Sequence, residues 1–92
     1  MAFKKIRSIR LSYATQGQIY FKLLNYRSQP KKLQEKIDRL IVEAAGGEDA
    51  YVKALRRWLL FGERWDVVQR ECFVHPNTLC MMRKKIYENW GK

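Results

Sequence analysis

Apolar residues recur along this chain at spacings of three and four, and no stretch alternates at a spacing of two. A period near 3.6 puts such residues on one side of an α-helix, whereas strict alternation marks a half-buried strand. From Thr15 to about Tyr26 the repeat is Ile19, Leu23 and Leu24, with Tyr20 and Tyr26 on adjoining faces. Thr15 is the expected N-cap of this helix, and Gly17 weakens its first turn. Ser28-Gln29-Pro30 then marks a second start, because a proline loses nothing by lacking an N–H in a first helical turn. Leu33, Ile37, Leu40, Ile41 and Ala44 follow as one continuous stripe, opposite Lys31, Lys32, Glu35, Lys36, Asp38 and Arg39. Gly46-Gly47 ends that helix.

Asp49 is the expected N-cap of a third helix running to about Phe61, with Val52, Leu55, Trp58 and Leu59 inward and Gly62 just past its end. Trp65 to Cys72 is a short helix, Phe73-Val74-His75 a turn, and Pro76 to Trp90 the last helix, built on Leu79, Met82, Ile86 and Trp90. Residues 1–12 mix basic and apolar groups without a clean period, so an arm, a short strand and the start of a helix all remain open. The pattern predicts an all-α fold of four to five helices in one domain, residues 1–92. Its expected parts are a basic arm (1–12), a helical hairpin (13–46) and a tri-helical helix-turn-helix unit (48–92).

Size sharpens this picture and charge gives it a direction. A chain of 92 residues buries only a modest core. Its 19 Lys and Arg against 9 Asp and Glu leave a formal charge of +10, which favours a polyanionic partner, nucleic acid before an acidic membrane surface. The excess is uneven: residues 1–36 carry +8, residues 37–75 carry −1 and residues 76–92 carry +3. Two cysteines make no disulfide framework, no apolar run is long enough for a signal sequence or a membrane span, and a cytoplasmic protein is expected.

The 26 residues from Trp65 to Trp90 carry the functional signal. A helix-turn-helix needs apolar contacts late in its first helix, one in the turn, and more on the inner face of the second helix. Val68 and Cys72, then Val74, then Leu79 and Met82 meet that need, with Leu55, Trp58 and Leu59 packing across them. Two positions depart from the usual pattern: Gln69 stands where a small residue is common, and Phe73 where glycine is common. Phe73 is too large for a close-packed turn unless its ring folds over the edge of the core. The run Arg64-Trp-Asp-Val-Val-Gln-Arg-Glu-Cys-Phe-Val-His-Pro-Asn-Thr-Leu79, followed by Arg83-Lys-Lys-Ile86, resembles the sigma-region-4-like half of small phage late-gene transcriptional regulators of the ArpU and RinA type. Leu23-Leu-Asn-Tyr26 leading into the Leu33–Ala44 helix is similar to their front half, so the resemblance spans about residues 20 to 90. It implies sequence-specific binding to duplex DNA upstream of phage or prophage genes.

If Leu79 and Met82 face inward, His75, Asn77, Cys80, Met81 and Lys84 face out. Asn77 pairs bidentately with adenine, Lys84 reaches guanine or a phosphate, and Met81 or Cys80 meets a thymine methyl or a protein surface. Thr78 near the helix start, with Arg83, Lys85 and Arg64, is expected on phosphates. Lys4, Lys5, Arg7 and Arg10 form a basic arm along phosphates or into a minor groove. Tyr13, Tyr20, Tyr26 and Arg27 come nearest to a single-strand stacking platform, whereas Trp58, Trp65 and Trp90 read as core staples. Cys72-x2-His75-x4-Cys80 offers three zinc ligands where a structural site takes four, so neither a metal nor another cofactor is expected. One histidine, scattered carboxylates and no glycine-rich phosphate loop give no catalytic constellation, and the chain is not expected to be an enzyme. The partners expected are double-stranded DNA, with RNA polymerase, another protein or a second copy of the chain as further candidates, and no membrane. The competing expectation is a protein–protein adaptor, or a phage packaging or replication accessory protein, using the same helices.

Overall fold

The computed structural model describes residues 6 and 9–91, and the described residues form helices and turns with no strand. In order they are α1 (Tyr13–Leu24), a 3-10 turn (Tyr26–Ser28), α2 (Lys31–Ala44), α3 (Asp49–Leu55), a π-helical turn (Arg56–Leu60), α4 (Trp65–Glu71) and α5 (Pro76–Glu88). The predicted fold class is therefore the observed one.

The predicted stripes face the interior. Ile19 and Leu23 of α1, Ile37, Leu40, Ile41 and Ala44 of α2, Leu55 of α3, and Leu79, Met82 and Ile86 of α5 are buried in a single core. α2 packs on α5 and α3, α1 packs on the π-helical turn, and α4 packs on α5. The hairpin and the carboxy-terminal helices thus share one interior. The α2 stop is a Schellman motif: the Gly47 N–H donates to Val42 O at 3.1 Å and the Gly46 N–H to Glu43 O at 3.2 Å. Both glycines take positive φ, +63° and +78°, which a side chain would resist.

Several boundaries differ from the expectation, each for a local reason. Thr15 is not the N-cap of α1. Ser12 is: its Oγ accepts from the Thr15 N–H at 3.1 Å and donates to the Thr15 hydroxyl at 2.9 Å. The helix stops at Leu24 because the Asn25 side chain turns back to donate to Phe21 O at 2.8 Å, and Tyr26 falls in the 3-10 turn. Ser28 also lies in that turn, and Pro30 holds the cap position before Lys31. Glu48 takes the place expected of Asp49, which instead puts its carboxylate in the first turn of α3. The stretch to Phe61 is not all α-helix. The Phe61 N–H reaches five residues back to Arg56 O at 3.2 Å, and this wider turn closes on Gly62 at φ +69°. α4 ends at Glu71 rather than Cys72, and α5 at Glu88 rather than Trp90.

The front of the chain is the largest departure. Ile6 and Ile9 are buried in the core, 6% and 7% exposed. They are held by Gln16, a fully buried polar side chain on the same stripe as Ile19 and Leu23. Its Oε1 accepts from the Ile6 N–H at 2.7 Å, and its Nε2 donates to Ile6 O at 3.1 Å and Leu11 O at 3.0 Å. The amide imitates the pairing of a neighbouring strand, and the backbone it satisfies is thereby free to be buried. The part of the basic arm made by Lys4, Lys5 and Arg7 lies outside the described residues, and Arg10 is exposed.

Adjacent arginines of the π-helical turn reach in different directions. Arg56 donates to Asp38 of α2 at 2.7 Å and stacks on the Tyr26 ring, whose hydroxyl donates to the same carboxylate at 2.8 Å. Burial and then this hydrogen bond raise the Tyr26 phenol above its usual range. Arg57 forks to Glu63, with Nε at 3.0 Å and Nη2 at 2.6 Å, and to Glu71 at the end of α4 at 2.6 Å. These hydrogen bonds hold the Glu63 carboxyl below its usual range. The Arg57 fork fixes the entry and exit of α4 relative to the turn before it.

Candidate nucleic-acid interface

The α4–α5 connection sets the outward face. α4 ends in a second Schellman turn, with the Val74 N–H donating to Gln69 O at 3.2 Å. Phe73 occupies the left-handed position of that turn at φ +56°, where glycine is usual. Its ring does not fold over the core: it is 94% exposed. The left-handed backbone directs Val74 into the core, where it is 5% exposed, and leaves the preceding side chain outside. A non-glycine residue there costs about 1–2 kcal/mol. Phe73→Gly is therefore expected to raise stability by about 0.5–1 kcal/mol after the added unfolded-chain freedom of glycine is subtracted. That gain corresponds to a rise in melting temperature of about 4 °C by calorimetry. An unchanged or lower melting temperature would show that the ring contributes contacts to the fold.

α5 begins with Pro76 at its first position, and no side chain caps its amino end. The His75 N–H donates to the Tyr51 hydroxyl at 3.0 Å, which ties the start of α5 to α3. With Leu79, Met82, Ile86 and Tyr87 buried, the opposite side presents His75, Asn77, Met81 and Lys85 as exposed groups; Met81 is 60% exposed. Thr78, Cys80 and Lys84 are half-buried along its edges. Cys80 is thus not fully outward as expected, and Cys72, expected as a buried apolar group, is half-buried with its sulfur 3.6 Å from Arg57 Nη1. Cys72, His75 and Cys80 are not drawn into a cluster: among the described residues no group of three His, Cys, Asp or Glu stands together as a metal site.

Two of the expected phosphate contacts are placed differently from one another. Arg64 is 79% exposed along its side chain, with Nη2 3.0 Å from Asp66, and stays accessible at the start of α4. Arg83 does not project into solvent. Its guanidinium lies over the Trp58 ring at 4.8 Å, and its Nε is buried. The residue sits on the α5 side that faces the π-helical turn, so its charge is withdrawn from the outer face. Of the three tryptophans, Trp58 and Trp90 pack as half-buried staples, the latter under Lys36 Nζ at 5.1 Å. Trp65 is 37% exposed and acts less as a staple than as a wall. Two members of the stacking group are engaged elsewhere: Tyr26 is held by Asp38, and Arg27 lies over the Phe61 ring at 5.2 Å.

Sequence reasoning missed two outward residues. Arg70 is exposed on α4, two residues after the buried Val68 and so on the far side of that helix. Phe73 was fitted to the turn only on the condition that its ring covered the core edge, although its position in the glycine slot already signalled a left-handed turn. Among the described residues no helix is long and apolar enough to cross a membrane. No family model, curated protein or solved structure matches this chain.

Proposed function

We propose that the protein binds duplex DNA through the outward face of α5, with α4 and α5 acting as a helix-turn-helix in a regulator of the phage type. The observation that carries this reading is the division of α5: an inner side built on Leu79, Met82, Ile86 and Tyr87, and an outer side that offers Asn77, Met81 and Lys85 around an uncapped amino end. The N–H groups of Asn77 and Thr78, which follow Pro76, can donate to phosphate oxygens at such a helix end, while the exposed Asn77 side chain has donor and acceptor for the adenine edge. Lys84, Lys85, Arg64 and Arg70 supply positive charge beside it, within a chain of net charge +10. Arg83 is left out of this set.

A second reading, docking on another protein, has one observation in its favour: Phe73 and Met81 are large apolar groups exposed on the turn and helix that the first reading assigns to DNA. Electrophoretic shifts with duplex, single-stranded and RNA probes at two salt concentrations separate the readings. The DNA reading expects a duplex complex stronger than the other two. No duplex complex at low salt would leave the docking reading in place.

A further inference from the structure

A cavity of about 260 Å³ opens between α1 and the carboxy-terminal helices, away from the outward face of α5. Leu23, Leu24, Leu59, Trp58 and Trp65 give it apolar walls. Arg83 lines it, with its guanidinium over the Trp58 ring at 4.8 Å. A guanidinium in an apolar wall favours an anionic group over a neutral one of the same shape. The charges around the cavity select the sign of a ligand. Arg64, paired with Asp66 at 3.0 Å, is a second cation at its lining, and the one acid among the lining residues, Glu63, is already held by Arg57 Nε and Nη2. Tyr87, also on the wall, has its phenol pushed up to about 12 by burial, so it stays neutral and adds no negative charge.

We infer that this cavity is a binding site for a small aromatic carboxylate, with the ring between Trp58, Trp65 and the leucines and the carboxylate on the Arg83 guanidinium. The volume, slightly below the range of about 300–1,000 Å³ typical of ligand pockets, admits a one- or two-ring molecule and excludes a nucleotide. A carboxylate accepts from the guanidinium in a charge-assisted bond, stronger than any the neutral amide of the same ring can make. The site joins α1 to α5 and shares only Arg64 with the proposed DNA interface.

The test is titration of the full chain with 2-naphthoate and, separately, 2-naphthamide, followed through the three indole N–H resonances. Trp90 lies outside the cavity and serves as the internal reference. The expected result is that naphthoate shifts the Trp58 and Trp65 resonances, leaves Trp90 in place, and binds at least about tenfold more tightly than the amide. Arg83→Met should bring the acid down to the affinity of the amide. No shift at Trp58 and Trp65 would overturn the site, as would equal shifts at all three tryptophans. Equal affinity of acid and amide for the wild-type chain would overturn the carboxylate assignment without recourse to any variant.

Discussion

Gln16→Leu is expected to destabilise the protein by about 3 kcal/mol, a large effect for one conservative change of size. The glutamine amide satisfies the N–H and the carbonyl of Ile6 together with the Leu11 carbonyl, inside a region where Ile6 and Ile9 are less than a tenth exposed. Leucine fills the space but satisfies none of these groups, and each buried backbone group left without a partner costs about 1–3 kcal/mol. The chain has one way to limit the loss, which is to release Ile6 and residues 9–11 into water. That release exposes both isoleucines, at about 1.5–3 kcal/mol each, so the penalty is similar by either route. Urea unfolding measures the stability change, and amide exchange at Ile6 tells whether the segment has detached. A loss below about 1 kcal/mol would mean that the front of the chain is not anchored by Gln16.

The second large effect is on binding. The proposed interface draws about four cations from Lys84, Lys85, Arg64, Arg70 and Arg10, and four phosphate contacts give a slope near −3.6 in log affinity against log salt. Duplex affinity is then expected to fall about a hundredfold between 50 and 200 mM salt. Lys85→Ala should reduce the slope by about one, since it removes one phosphate contact. Arg83→Met should leave the slope unchanged, because that guanidinium is turned onto Trp58 with its Nε buried. Fluorescence anisotropy across a salt series measures all three. A slope near zero for the wild-type chain would contradict binding through phosphates, and a lower slope for Arg83→Met would return Arg83 to the interface.

The helices and their inner faces were legible because burial repeats every three or four residues, as it does in Leu33, Ile37, Leu40, Ile41 and Ala44. The caps were harder. Ser12 and Thr15 are both good capping residues, and only the course of residues 6–11 decides between them. Gln16 shows the same limit more sharply. It stands on the stripe of Ile19 and Leu23, yet a glutamine in a helix looks like a surface residue until its partner, the Ile6 backbone, is known to be beside it. Arg83 was misplaced for a related reason. Its neighbours Lys84 and Lys85 suggested one basic patch, but successive residues differ by about 100° around a helix, and this one faces Trp58. Phe73 was recognisable as an anomaly, and the direction of its ring followed only from the left-handed turn. The wide turn at Arg56–Leu60 left no mark in the apolar pattern, because it changes one hydrogen-bond step and not the order of residues.

The most direct measurement takes a duplex selected by the protein from a random pool and compares its affinity with that of an unrelated duplex, for the wild-type chain, Asn77→Ala and Lys84→Ala. Reading of base edges by α5 predicts that Asn77→Ala weakens binding to the selected duplex about 10- to 100-fold, a loss of about 1–3 kcal/mol, and leaves the unrelated duplex nearly unchanged. Lys84→Ala should weaken both if it meets a phosphate, and the selected duplex alone if it meets guanine. Selection that enriches no sequence, or an Asn77→Ala chain that binds the selected duplex as the wild type does, would contradict it.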